Sequence, residues 1–225
     1  AMLDAARGAE PGSDHQLAFL TALCACPVGP DQARVLETLL DAGADEAGLP
    51  GLTVDTDLRW TVLTALVAAG AEDTERIDAE LAADATAGGE RRAATARAAR
   101  PTVDAKEAAE KLLLTTGAEA PSNAIVRATL LGVDLPGHEH LLAGLADRYL
   151  DDITGLWSAR PGDLAQTVAE GLFPSWEVDA ATVSRFETAI ADDSLPSSLR
   201  RILAEHTADM TRALAARKVD TAAGD

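Results

Sequence analysis

The chain has 225 residues, a formal charge of −18, and a composition that is 47% hydrophobic but only 3% aromatic. That length suits one large domain or two small ones. Such acidity repels phosphate backbones and anionic lipid, so nucleic acid and membrane are not expected partners, and a core short of aromatic residues points to helices packed through Leu, Ala, Val and Ile.

Residues 1–12 are small and polar, end in Pro11-Gly12, and read as a lead-in. Ser13 or Asp14 caps a helix carrying Leu17, Leu20, Leu23 and Cys24 to Cys26, stopped by Pro27 and Gly29. The two cysteines, Cys24 and Cys26, are two apart in an apolar run, so they point apart and read as buried, inert thiols rather than a disulfide or metal pair. Pro30 opens the next helix, with Val35, Leu36, Leu39 and Leu40, which ends at Gly43.

The stretch Gly48–Leu66 is a loop that becomes a helix. Gly48, Pro50 and Gly51 break what precedes it, Asp55 is placed to cap the new helix, and Asp57 adds charge that the first turn favours. Leu58, Val62, Leu63 and Leu66 form its apolar face, with Trp60 expected at the edge of that face and Arg59 on the flank. These are structural expectations for Asp55, Asp57, Arg59 and Trp60.

Glu72 and Asp73 open another helix with Ile77 and Leu81, and Gly88-Gly89 reads as a break. Glu90–Arg100 then consists mainly of alanine and arginine, able to pack closely through Ala93, Ala96 and Ala98. Arg91, Arg92, Arg97 and Arg100 are the one basic concentration in an acidic chain: a solvated face, or a contact for an anion. Pro101 ends that segment and Thr102 caps a helix reaching Leu114. Ser122 or Asn123 caps a short helix ended by Gly132, and a long helix is expected from about His138 to Ala159. Pro161-Gly162 separates it from a helix with Leu164, Val168 and Leu172; Asp179 caps the next, and Leu195-Pro196 starts the last. The fold expected is all-α, an irregular superhelix of antiparallel helix pairs like the HEAT and armadillo solenoids, over residues 13–218, followed by a frayed tail at 219–225.

No catalytic motif emerges. His138-Glu139-His140 falls short of H-E-x-x-H, because histidines two apart diverge by about 200° on a helix. Ser13-Asp14-His15 has the letters of a triad without its geometry. The expectation is no catalytic, cofactor-binding or metal-binding residue, and no enzyme activity in this chain alone.

A set of segments in one consistent order carries a resemblance. Pro11-Gly12-Ser13-Asp14-His15-Gln16-Leu17-Ala18 and Gly51-Leu52-Thr53-Val54-Asp55-Thr56-Asp57-Leu58-Arg59-Trp60 are similar to segments of actinobacterial aminopeptidase N. Ala96-Arg97-Ala98-Ala99-Arg100-Pro101 with Lys106, then Ser122-Asn123, Arg148-Tyr149, Trp157 and Leu172-Phe173-Pro174 extend it, with a departure at Ala109-Glu110. The resemblance implies the C-terminal helical domain of a zinc metallopeptidase, akin to that of endoplasmic-reticulum aminopeptidases. It implies a bowl-like superhelix that caps the catalytic domain and limits which peptides reach the zinc. The family's H-E-x-x-H and G-A-M-E-N segments lie upstream, so no catalytic residue transfers. The implied partners are the catalytic domain of the same polypeptide and peptide substrates, and the zinc belongs to the parent enzyme; separately, with no signal peptide or membrane-spanning run visible in the sequence, the location expected, if the native N-terminus is present, is cytoplasmic. Arg97 and Arg100 are the candidates for a peptide or domain contact. The alternative is a free-standing helical scaffold that binds a protein partner.

Overall fold

The computed structural model describes residues 1–160 and 162–223. Pro161, expected in a break, and Gly224 and Asp225, expected in the tail, lie outside the described residues. Among the described residues there are twelve α-helices and no strand, so the all-α expectation holds. The helices are α1 (Met2–Gly8), α2 (Asp14–Cys24), α3 (Pro30–Asp41), α4 (Thr56–Ala68), α5 (Thr74–Ala83), α6 (Ala87–Ala99), α7 (Val103–Leu114), α8 (Asn123–Val133), α9 (Leu145–Ala159), α10 (Asp163–Gly171), α11 (Ala180–Ile190) and α12 (Ser197–Ala223). They form two compact units, Ala1–Leu112 with Ser122–Leu141, and Leu113–Pro121 with Leu142–Asp225.

Short polar side chains start most of the helices. Ser13, Asp55, Thr86 and Ser122 each accept a hydrogen bond from the backbone N–H three residues on, and Asp73 and Asp179 each take two such N–H groups. Each satisfies donors that the first turn leaves without partners. In the first unit these caps direct apolar faces inward around Leu20, Leu36, Leu39, Leu49, Leu63 and Leu66. In the second unit the core is aromatic. The single tyrosine, Tyr149, meets Phe173 and Phe186 edge-on at centroid distances of 5.6 and 5.8 Å, and His206 stacks on Phe173 at 4.6 Å. The Tyr149 hydroxyl donates to the Ala169 carbonyl at 2.5 Å, satisfying the one polar atom of a buried ring.

Several expectations are corrected. The lead-in at residues 1–12 contains α1, whose Leu3 and Ala6 are buried and which packs on α2; that packing, rather than propensity, stabilises a helix of only two turns. Gly88-Gly89 is not a break. Both glycines lie in the first turn of α6, and a Cβ on Gly89 would stand 1.9 Å from the Asp84 carbonyl oxygen, so glycine is there to let two backbones approach. The helix expected from His138 is a 3-10 turn at Glu139–Leu142, then α9, because Gly144 sits between them at φ 82°. The last helix runs from Ser197 to Ala223. Trp60 is not at an edge: it is 2% exposed. Cys26 is exposed, while Cys24 is partly buried with its thiol pushed up to about 12 by burial.

Candidate functional site

The stretch Gly48–Leu66 positions the rest of the first unit through polar contacts. Arg59 donates from Nε and Nη2 to the two carboxylate oxygens of Glu80, both at 2.7 Å, and from Nη1 to the Leu40 carbonyl at 3.3 Å. Glu80 is buried, and the forked pair ties α3, α4 and α5 together. The Trp60 indole N–H donates to Asp84 Oδ2 at 3.0 Å. Asp84 also accepts from Thr86 and Arg92, and these donors, the Thr86 hydroxyl first, hold its carboxyl below the ordinary value. Asp55 caps α4 and Asp57 pairs with Arg92. All four residues singled out in this stretch hold helices in place, and none lines the cavity described next.

That cavity, about 450 Å³, lies in the first unit among α5, α6, α7 and α8. Its walls are small and apolar, including Ala94, Ala98, Ala105, Ala109, Leu112 and Ile125. Alanine dominates because α6 and α8 approach too closely elsewhere for larger residues. A Cβ on Gly132 would lie 2.2 Å from the Thr95 carbonyl oxygen, and the Thr95 hydroxyl donates to the Ala128 carbonyl at 2.8 Å. At the cavity the facing side chains are mainly alanines, which leave space unfilled.

The polar groups at the cavity are few. Glu90 and Arg97 stand on one face of α6, and Arg100 is its C-cap. Arg97 pairs with Asp78 at 2.7 Å, with side chains 44% and 58% exposed, a surface pair worth at most about 1 kcal/mol. Arg100 donates to the Thr74 hydroxyl at 2.6 Å and, among the described residues, has no carboxylate in ion-pair range. Thr129 is 2% exposed, lines the wall, and its hydroxyl has no hydrogen-bond partner. So the structure brings Arg97 and Arg100 to one cavity. Thr129, not singled out by motif, had one signal: it is the polar residue four after Ile125 on an otherwise apolar helix face.

Behind the wall, the buried Lys106 ammonium donates to the Ala98 carbonyl at 2.8 Å and the Gly132 carbonyl at 3.0 Å. These are carbonyls of the last turns of α6 and α8, which lack helical partners. Burial lowers the Lys106 amine to about 8, against which a nearby Asp134 acts. His138, expected on a surface or at a cap, is buried, and Nε2 lies 3.0 Å from the carbonyl of Ala68, the last residue of α4. A carbonyl only accepts, so Nε2 carries the proton and His138 caps α4 from 70 residues away. Its Nδ1 is buried without a partner, and desolvation holds the ring's proton affinity down. No group of three His, Cys, Asp or Glu that could hold a metal ion occurs among the described residues. Nor is any described helix long and apolar enough to cross a membrane.

Residues 1–212 match the family of ERAP1-like C-terminal domains. The chain belongs to that family. It is also 38% identical over 219 residues to the aminopeptidase N of Streptomyces lividans, a match covering 97% of this chain. The chain spans 25% of that relative's length. The resemblance carried by Gly51–Trp60 and its companion segments is therefore confirmed over nearly the whole chain. Within the family domain, Arg59–Glu80, Trp60–Asp84 and Lys106 fasten helices together, and the α6 cavity is a concave polar–apolar site.

Proposed function

We propose that this chain is the non-catalytic C-terminal domain of a zinc aminopeptidase that removes N-terminal residues from peptides. In this reading the domain encloses the active-site chamber as a superhelix of helix pairs and helps select peptide substrates. The carrying observation is the match to a relative named aminopeptidase N that is about four times as long as the matched region. The zinc and its ligands belong to the upstream catalytic domain, with which this domain packs in the same cytoplasmic polypeptide.

The role of this chain's own residues is binding and exclusion. Arg97 and Arg100 present guanidinium groups beside an apolar cavity, and a peptide offers both carboxylates and apolar side chains. Arg97 gives up little when it leaves an exposed Asp78, so exchange onto a peptide is inexpensive. The test is kinetic. In the full-length enzyme, neutralising both residues (Arg97→Gln with Arg100→Gln) alters the dependence of kcat/KM on peptide length while cleavage of a single-residue aminoacyl amide is unchanged. An identical length profile in the variant would make both arginines ordinary surface charge.

A further inference from the structure

The cavity between α5 and α8 has a chemistry of its own. Its walls are alanine, leucine and isoleucine, so it takes an apolar body. A cavity of 150 Å³ accommodates benzene, so about 450 Å³ admits a ligand of roughly a dozen heavy atoms or more. Two polar groups at it have unused capacity. The Thr129 hydroxyl is buried without a partner, which costs stability unless a ligand or water completes it. Arg100 has five N–H donors and places one on Thr74. Arg92 is paired with Asp57 and Asp84, and Arg97 has an exchangeable surface partner in Asp78, so Arg100 is the cavity arginine with no carboxylate in range among the described residues.

Glu90 sets the polarity. It stands at the other end of the α6 face, ten residues from Arg100, which is roughly 15 Å along the helix. A second negative group on the ligand would be repelled there. We propose that this cavity is a binding site for a small amphipathic monocarboxylate, with the apolar part among the alanines, the carboxylate on Arg100, and the Thr129 hydroxyl donating to the ligand. The site stands on the cavity alone and holds whether or not the longer protein is a peptidase.

The experiment is calorimetric titration of this chain with octanoate and three matched probes: octanol, octylammonium and suberate. Octanoate binds at least tenfold more tightly than each of the three. Arg100→Gln weakens octanoate at least tenfold. Ala108→Trp, at an exposed wall position, blocks the cavity and abolishes binding without touching Arg100. Equal affinity for octanoate and octanol in the unaltered chain, or unchanged octanoate affinity in Arg100→Gln, overturns the proposal. A further arm identifies the source of the carboxylate. Displacement of octanoate by an N-acetylated tripeptide ending in leucine, but not by its amide, assigns it to a chain end; failure of both to displace assigns it to a free acid.

Discussion

Trp60 shows how one side chain joins two helices. Its ring fills the core of the first unit while its N–H reaches Asp84 beyond the end of α5. Trp60→Ala removes both, and is expected to lower unfolding free energy by about 3–5 kcal/mol in denaturant titration; a loss below about 1 kcal/mol would contradict the burial. Lys106 gives a different signature. Its amine titrates at about 8 in the fold and at the ordinary 10.5 when unfolded. Between those values the fold binds fewer protons than the unfolded chain, so this residue's contribution rises with pH across the window and is lost as pH falls through about 8. The neutral amine still has two N–H groups, enough for both the Ala98 and Gly132 carbonyls. The stability difference between the wild type and Lys106→Met therefore grows from pH 8 to 10.5. A flat difference would mean that the amine is not desolvated.

Helix packing accounts for much of what was legible in the sequence. Capping residues such as Asp55, Asp73 and Asp179 marked helix starts, because the cap is a local interaction between neighbours in the chain. Local pattern failed where distant segments decide. Trp60 looks peripheral until the end of α5, 24 residues on, supplies its partner. Arg97 and Arg100 could be picked out as a basic group, but the cavity they border depends on α7 and α8, and the weak signal of Thr129, a polar residue on an apolar helix face, gains meaning once its hydroxyl is seen unpaired. Two glycine substitutions test this view of packing. Gly132→Ala forces α6 and α8 apart and is expected to destabilise by about 1–3 kcal/mol. Gly155→Ala, in α9 with nothing within 4 Å of the new methyl, is expected to stabilise by about 0.5–1 kcal/mol. Thermal denaturation of the pair should show shifts of opposite sign; a common sign would contradict the account of the α6–α8 contact.

At the scale of the whole molecule, an acidic, all-helical chain with a family match over residues 1–212 is read as one part of a larger peptidase. The resemblance was legible because the segment from Gly51 to Trp60 and its companions recur in order. The α6 cavity was not, because its walls come from four helices whose packing no single segment reveals. The central claim is tested most directly by precipitating the native protein from a lysate of the source cell with an antiserum raised against this chain. The account predicts a polypeptide several times larger than 23.3 kDa, with aminopeptidase activity in the precipitate that a zinc chelator removes and added zinc restores. A band near 23.3 kDa without that activity would contradict it.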